Sequence, residues 1–356
     1  MGVTARSRGI DALRGLAVLA VVFHHSFVPS IGVPLYDIFL RFFQKYGTLG
    51  VDLFFLLSGF CIHGAYAGSS GDFHAGAYLR RRWWRIYPPY FFALGLAVLL
   101  NLATNYYKWK TGGSVTWDNF GPAAVLSHVF LVHNFSPSTV TAISGPFWTI
   151  ALEAQYYLFY LVVRRFFFSG RGWAAVFAGT LALHVAAWTF YDAHRVLEML
   201  NPFRFWLEWV TGAFLAYLVK SRPQLLKARG RCGLTFVICA FLLVWMERLG
   251  LSHAYKEVPI AAGFACLILF FLGAEKWWSS KSFAWLPGVG LFSYSVYLVH
   301  FLFMDRIRVF ILPRVPEGGW RLCGSILTIG LCLAAAYGFY LVCERPFLRK
   351  AASVPH

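Results

Sequence analysis

The first residues suited to chemistry are one arginine and two adjacent histidines within an otherwise apolar run, Arg14, His24 and His25. On a helix, Arg14 and His25 share one face roughly 16 Å apart, whereas His24 points about 100° away. A neutral imidazole can take a proton from a hydroxyl group. The spacing is therefore compatible with a general base at His25 in a cavity, or with a structural histidine that is hydrogen-bonded inside the bundle.

Two acidic residues also lie in strongly apolar segments, Glu153 in FWTIALEAQYYLFY and Asp52 in GVDLFFLLSGF. An ionisable side chain within a membrane is costly and usually faces a protein interior or a wet cavity. Either carboxylate could orient the histidine or take its charge. The alternatives are a salt bridge to a buried arginine for Glu153 and a helix N-terminal cap for Asp52.

A third candidate group is basic and lies in RRRWWRIYPP at residues 80–89. Arg82 and Arg85 are three residues apart, so they share one face of a helix. Guanidinium groups match phosphate oxygens well, and the pair could bind the phosphates of a nucleotide-containing donor. The alternative is that they only anchor the end of a membrane span beside an aromatic belt.

Further candidates lie near the C-terminus in SYSVYLVH. Tyr297 and His300 are helical neighbours, so both could line one cavity as substrate-binding residues. They could equally form hydrogen bonds between helices. His24 and Ser58 are two more candidates for substrate binding. No cluster has the spacing of a metal site, and there is no GxSxG, Walker or GxGxxG motif, so we predict no metal cofactor.

The elements that must position these residues are membrane-spanning helices. The 356 residues are 59% hydrophobic and 13% charged, whereas a soluble domain has roughly 25% charged residues. We predict an all-α, polytopic membrane bundle of about ten transmembrane helices that forms one domain over residues 1–356. The predicted spans are 10–29, 47–66, 88–104, 145–164, 172–191, 203–219, 232–249, 257–274, 286–304 and 322–342.

Basic residues set the predicted orientation of these spans. The net charge is +17, and the side that holds both termini carries 20 Lys and Arg residues against 12 on the other side. Lys and Arg are enriched in cytoplasmic loops, so we predict that both termini are cytoplasmic. In a soluble protein this charge would suggest nucleic acid as a partner. The flanking spans argue against nucleic acid and favour the lipid bilayer.

Taken together, these segments resemble the acyltransferase 3 family of bacterial membrane O-acyltransferases. Six segments carry the resemblance in the family's order, GIDALRGLAVLAVVFHH, GVDLFFLLSGF, RRRWWRIYPPY, FWTIALEAQYY, SYSVYLVH and ERPF, and they span nearly the whole chain. The resemblance places the first-span arginine and histidine of the family at Arg14 and His25. It places the Arg-x-x-Arg pair at Arg82 and Arg85, and the fourth-span glutamate at Glu153.

The resemblance implies a bacterial inner-membrane protein that takes an acyl group from a cytoplasmic coenzyme A thioester such as acetyl-CoA. The group would pass to a hydroxyl of a glycan, a lipid-linked sugar or a similar acceptor. Longer members carry a C-terminal SGNH-type domain, whereas this sequence ends at His356, shortly after its last predicted span. We expect it to act alone, with a separate periplasmic partner, or on an acceptor that reaches its membrane cavity.

The sequence therefore predicts an O-acyltransferase in which His25 is the general base and Glu153 or Asp52 tunes it. Arg14 joins the Arg-x-x-Arg pair in binding the donor phosphates. A membrane transporter or flippase is the alternative, with the buried charges lining a substrate path. Transporters often contain inverted repeats with broken helices, and neither is visible here. A non-catalytic assembly protein would not need the buried histidine and glutamate.

Overall fold

The computed structural model describes residues 7–26, 34–66, 73–115, 120–167, 169–194, 198–311, 314 and 319–354. None of these residues lies in a strand, so the all-α prediction is confirmed for the described part of the chain. Helices suit such apolar segments because they pair the backbone N–H and C=O groups within the segment. The α-helices are α1 (Arg8–His25), α2 (Pro34–Tyr46), α3 (Leu49–Tyr66), α4 (Ala75–Lys110), α5 (Pro122–Val129), α6 (Trp148–Val163), α7 (Gly170–His194), α8 (Trp206–Ser221), α9 (Arg229–Arg248), α10 (His253–Gly273), α11 (Glu275–Trp278), α12 (Trp285–Leu291), α13 (Ser293–Phe310), α14 (Gly319–Phe339) and α15 (Arg345–Ala352).

Fewer than ten helices of the described residues have the length and composition of a membrane span. Within the described residues, six helical segments are long and apolar enough to cross a membrane, and α12 with α13 would add a seventh if they form one span. Helices α6 and α8 have 16 residues each, about 24 Å, which is short of a hydrocarbon core about 30 Å thick. Helix α1 carries three charged side chains. Although each predicted span overlaps a helix, the count of about ten is not confirmed.

The chain forms two compact units. Unit 1 comprises Met1–Val21, Thr48–Asp72 and Phe159–Ser293, and unit 2 comprises Val22–Gly47, Phe73–Leu158 and Tyr294–His356. Helix α1 therefore contributes its first part to unit 1 and its last residues, which include His25, to unit 2.

Close helix packing fixes the position of α3 within unit 1. A Cβ atom at Gly59 would lie 1.9 Å from the carbonyl oxygen of Trp209, and one at Gly212 would lie 1.9 Å from the carbonyl oxygen of Leu56. The two glycines thus allow the backbones of α3 and α8 to touch, as small residues do between membrane helices. This contact holds the helix that carries Asp52.

Unit 2 is built around α4, which is 36 residues long and contains Pro88 and Pro89. The predicted span began at residue 88, whereas the helix begins at Ala75. An apolar run in the sequence identifies only the part of a helix that lipid would surround. The helix itself can begin earlier, in turns that contain basic residues. The structure therefore places Arg82 and Arg85 within a helix. The short helices α2, α5 and α15 lie outside the predicted spans.

Candidate active site

His25 ends α1 and lies in a small aromatic cluster with α13. Its half-buried imidazole ring has its centroid 5.1 Å from that of His300 and 5.4 Å from that of Phe301. The ring planes meet at 61° and 86°, so both contacts are edge contacts. Two histidines that the sequence analysis assigned separately, one as a base and one to the substrate, are thus direct neighbours.

His300 is fully buried, and its two ring nitrogens have different surroundings. Nδ1 lies 2.7 Å from the carbonyl oxygen of Tyr297 and 3.2 Å from that of Val296. A carbonyl oxygen only accepts hydrogen bonds, so Nδ1 carries the hydrogen and the neutral ring has its lone pair on Nε2. This Nε2 atom is buried and has no hydrogen-bond partner in the described part of the chain. A buried polar atom without a partner is uncommon in folded proteins and requires an explanation.

Two other predicted substrate-binding residues have structural partners. The Nδ1–H group of His24 donates to the carbonyl oxygen of Gln44 in α2, at 2.6 Å. The Tyr297 hydroxyl lies 2.7 Å from the Thr149 hydroxyl and 3.3 Å from the carbonyl oxygen of Pro146. These bonds fit the alternative weighed for Tyr297, a hydrogen bond between helical elements.

Glu153 lies in α6 and accepts a hydrogen bond of 2.6 Å from the hydroxyl of Tyr157, one turn further along the helix. Its charge also acts on the hydroxyls of Tyr294 and Tyr297 in α13. Helix α6 thus brings the carboxylate to the tyrosines that precede His300. The predicted effect of Glu153 on His25 remains a prediction.

Arg82 is held by two tyrosine rings. Its guanidinium carbon lies 5.7 Å from the ring centroid of Tyr78 and 5.7 Å from that of Tyr157. The Tyr78 hydroxyl in turn donates to the carbonyl oxygen of Tyr157 at 3.1 Å. The charges of Arg82 and Arg85 both act on the Tyr157 hydroxyl. Arg82 and Glu153 therefore both contact Tyr157.

The neighbouring basic and aromatic residues of α4 have an anchoring role instead. Arg81 is buried and donates to the carbonyl oxygen of Val354 at 3.3 Å. The Trp84 ring stacks on Phe347 of α15 at 5.9 Å, and the Lys350 ammonium lies 4.9 Å from its centroid. Arg81 and Trp84 thus attach the C-terminal residues to α4, whereas membrane anchoring by Arg82 and Arg85 stays a prediction.

Three predicted site residues belong to unit 1, and the other seven belong to unit 2. Arg14 lies 3.3 Å from the carboxylate of Asp11 and donates to the sulfur of Cys61 at 3.3 Å. Asp52 is buried, and its charge interacts with that of Glu208 in α8. Ser58 is half-buried in α3.

The sequence analysis missed the role of Tyr157 and the pairing of two loop histidines. Tyr157 follows Glu153 by four residues, a spacing that places both on one helix face and could have identified it. His128 and His133 are fully buried, with ring centroids 3.8 Å apart and planes 6° apart. Burial lowers the pKa of His128 to about 4 and that of His133 to about 3. Both rings are therefore neutral at neutral pH.

The family model of an acyltransferase domain matches residues 7–337, so the chain belongs to this acyltransferase family, as its motifs indicated. It is 27% identical to Nodulation protein 10 of Rhizobium leguminosarum bv. viciae, over 97% of this chain and 94% of that protein. It is 27% identical to a protein of Acidianus two-tailed virus named as an acetyltransferase, ORF330, over 84% of each chain.

A protein of Komagataeibacter xylinus named as a membrane-bound transacylase, BcsY, is 24% identical over 83% of this chain and 72% of its own. No solved structure matches the chain. Family membership and the apolar helices together make it a membrane protein and an acyltransferase.

Proposed function

We propose that this acyltransferase moves an acetyl or other acyl group from cytoplasmic acyl-CoA to a hydroxyl of a glycan, a lipid-linked sugar or a similar acceptor. Family membership and relatives named as an acetyltransferase and a transacylase support group transfer. The observation that carries the choice of His25 as the base is its ring contact with His300, whose buried Nε2 has no partner within the described residues.

The proposed reaction has two proton transfers, one from the acceptor hydroxyl to His25 and one from His25 to the coenzyme A sulfur. The acceptor hydroxyl gives its proton to His25 while its oxygen attacks the carbonyl carbon of the thioester. A C–O bond forms, the C–S bond breaks, and coenzyme A leaves as a thiolate. Protonated His25 then returns the proton to the sulfur, which regenerates the neutral ring. General acid–base catalysis of this kind contributes about 10²- to 10⁴-fold in rate.

Arg82 and Arg85 bind the donor phosphates in this proposal. Two guanidinium groups on one helix face can contact adjacent phosphate oxygens. The tyrosine rings beside Arg82 limit its motion before the donor arrives, which lowers the entropy cost of binding. Glu153 places a negative charge beside Tyr157, the residue whose ring contacts Arg82. For Arg14, Asp52 and Ser58, the proposal rests on the sequence alone.

The proposed topology has about ten spans in a bacterial inner membrane, with both termini in the cytoplasm. The distribution of Lys and Arg residues supports it, with 20 on the cytoplasmic side and 12 on the other. Reporter fusions after Arg231 and Lys350 should report the cytoplasm, and a fusion at Asn119, which lies outside the described residues, should report the opposite side. Finding Asn119 on the same side as Arg231 would rule this topology out.

The experiment that tests the function compares His25→Ala with His24→Ala in purified protein. Wild-type protein should release coenzyme A from acetyl-CoA in the presence of a hydroxyl acceptor, without any ion gradient. His25→Ala should lower this rate by about 100-fold or more. His24→Ala is the matched control and should retain most activity, because the His24 ring bonds the backbone of α2.

The transporter alternative predicts a different result. Protein reconstituted in vesicles would move a glycan across the membrane without consuming the thioester, and His25→Ala would not change thioester turnover. Mass spectrometry of envelope glycans from cells with and without the gene would then identify the acceptor.

A further inference from the structure

The hydrogen bonds of His300 at Nδ1 leave Nε2 as a hydrogen-bond acceptor only. Both carbonyl partners of Nδ1 belong to the preceding turn of its own helix, Val296 and Tyr297. These bonds therefore do not tie α13 to another element. They fix the tautomer, so that Nε2 can only accept a hydrogen bond.

The nearest ring that could supply this bond belongs to His25. With centroids 5.1 Å apart and planes at 61°, the edges of the two five-membered rings are in contact. An N–H group on the edge of the His25 ring can therefore reach Nε2 of His300 by a small rotation. Phe301 also packs against the His25 ring, with its centroid 5.4 Å from that of His25.

We propose that His300 is a positioning residue for His25: its Nε2 accepts the N–H of His25 and so fixes which nitrogen of His25 faces the acceptor hydroxyl. The proposal rests on the proposed function and names the residue that orients the base. It assigns to a neutral histidine the task that a carboxylate has in a Ser-His-Asp triad.

In the Ser-His-Asp triad the carboxylate both orients the base and stabilises the imidazolium that forms. Neutral His300 supplies the orientation with weaker stabilisation of that charge. The Glu153 carboxylate lies 2.6 Å from the hydroxyl of Tyr157.

Two substitutions separate this role from a structural one. His300→Gln places an amide oxygen near the position of Nε2 and loses the group that bonds the backbone carbonyls. His300→Asn places an amide N–H near Nδ1 and loses the acceptor that faces His25. A positioning role predicts that Gln retains activity and Asn does not, whereas a structural role predicts the reverse order.

The primary measurement is steady-state kinetics of coenzyme A release by the purified full chain. His300→Asn should lower kcat by about 10- to 100-fold, the loss seen when the hydrogen-bond partner that orients a metal-bound histidine is removed. The KM for acetyl-CoA should not change, because His300 does not bind the donor. His300→Gln should stay within a few-fold of wild type. Equal losses in both variants, or a larger loss in Gln, would overturn the proposal.

A second measurement does not depend on acyl transfer. Diethyl pyrocarbonate modifies the basic nitrogen of histidine, and peptide mass spectrometry gives the rate at His25 with His24 as the internal reference. The rate at His25, relative to His24, should fall several-fold in His300→Asn and stay near wild type in His300→Gln. An unchanged rate in Asn would overturn the pairing. If wild-type protein shows no thioester turnover, the proposed function fails, and this measurement alone decides the pairing.

Discussion

Two buried histidines, one in each unit, show how the same side chain can hold a fold or serve a reaction. His184 of unit 1 faces an oxygen at each ring nitrogen, with Nε2 3.0 Å from the carbonyl oxygen of Ala254 and Nδ1 2.9 Å from the carboxylate of Glu257. The Nε2–H group of His184 donates to the carbonyl oxygen of Ala254. The contact between Nδ1 and the Glu257 carboxyl oxygen therefore requires a second proton, either on Nδ1 or on that oxygen. His300 of unit 2 has a partner only at Nδ1 within the described residues.

The difference between the units indicates where chemistry can occur. The Glu257 carboxyl group also accepts from the indole N–H of Trp188 at 3.2 Å, so these contacts link α7 to α10 within unit 1. Such a pair stabilises the fold. The ring of His300, whose Nε2 has no partner within the described residues, lies beside the half-buried ring of His25.

The largest predicted effect tests the structural half of this comparison. His184→Ala should lower the free energy of unfolding by about 3–5 kcal/mol, because it leaves the Glu257 carboxylate buried without its histidine partner. Equilibrium unfolding in mixed detergent micelles measures the loss. The folded fraction should still release coenzyme A at the wild-type rate per molecule.

A double variant provides the control for this prediction. His184→Leu with Glu257→Leu removes both polar groups and should recover part of the stability, since well-packed apolar residues can replace a buried pair. A double variant that is less stable than His184→Ala would show that the pair itself is not the source of the loss. Loss of activity in fully folded His184→Ala would contradict the division of roles.

The next prediction concerns the arginines of α4, and its effect is a loss of donor affinity. Arg82→Lys and Arg85→Lys keep the charge but lose the planar fork that matches phosphate. Each should weaken coenzyme A binding by about 1–3 kcal/mol if a charge-assisted hydrogen bond is lost. Isothermal titration of coenzyme A into detergent-solubilised protein measures the change.

Arg80→Lys is the matched control, because Arg80 is exposed on the same helix and undergoes the same substitution. Its affinity for coenzyme A should equal that of wild type. If all three variants bind equally well, the segment is only a membrane anchor, and the donor-binding role of the pair is wrong.

The candidate site residues could be proposed from sequence, whereas their contacts in the fold could not. His25 and Glu153 each stand out in an apolar segment, and that anomaly needs no structure to be seen. His25 and His300 lie at opposite ends of the chain, and helical spacing relates only residues of one helix. The bond between Glu153 and Tyr157 is local, and the four-residue spacing could have predicted it.

The fold was predictable to a similar degree. Long apolar runs indicated α3, α9 and α10, since period and length are strong signals there. The extension of α4 back to Ala75 was not predictable from hydropathy, because its first turns are basic and aromatic. The position of the short amphipathic helix α15 was not predictable from sequence either, because it depends on contact with Trp84 of α4.

The stacked histidines His128 and His133 extend the comparison to pH. The pKa of His133 is about 3 in the folded protein against 6.5 for an ordinary histidine. The unfolded chain therefore binds more protons below pH 6.5. The stability associated with this group is complete above pH 6.5 and is lost as the pH falls towards 3, by at most about 1.4 kcal/mol per pH unit.

His133→Gln removes the titrating group and should make the loss of stability between pH 6.5 and pH 4 shallower. Unfolding midpoints of both proteins, measured across this range, give the two slopes. Between pH 7 and pH 8 the slopes should coincide, which controls for unrelated effects of the substitution. Equal slopes below pH 6.5 would mean that His133 is not kept neutral by burial.

The smallest predicted effect decides whether Tyr297 belongs to the structural or the chemical group. Its hydroxyl lies 2.7 Å from that of Thr149, which also donates to the carbonyl oxygen of Pro146 at 3.0 Å. Tyr297→Phe therefore leaves Thr149 with a partner and should cost only about 1 kcal/mol of stability. The KM for the hydroxyl acceptor should remain at the wild-type value, because the tyrosine hydroxyl is already bonded within the protein. Thr149→Val is the matched control, since it removes the same bond from the other side. A several-fold rise in the acceptor KM with Tyr297→Phe and not with Thr149→Val would instead place Tyr297 in the acceptor site, as the sequence predicted.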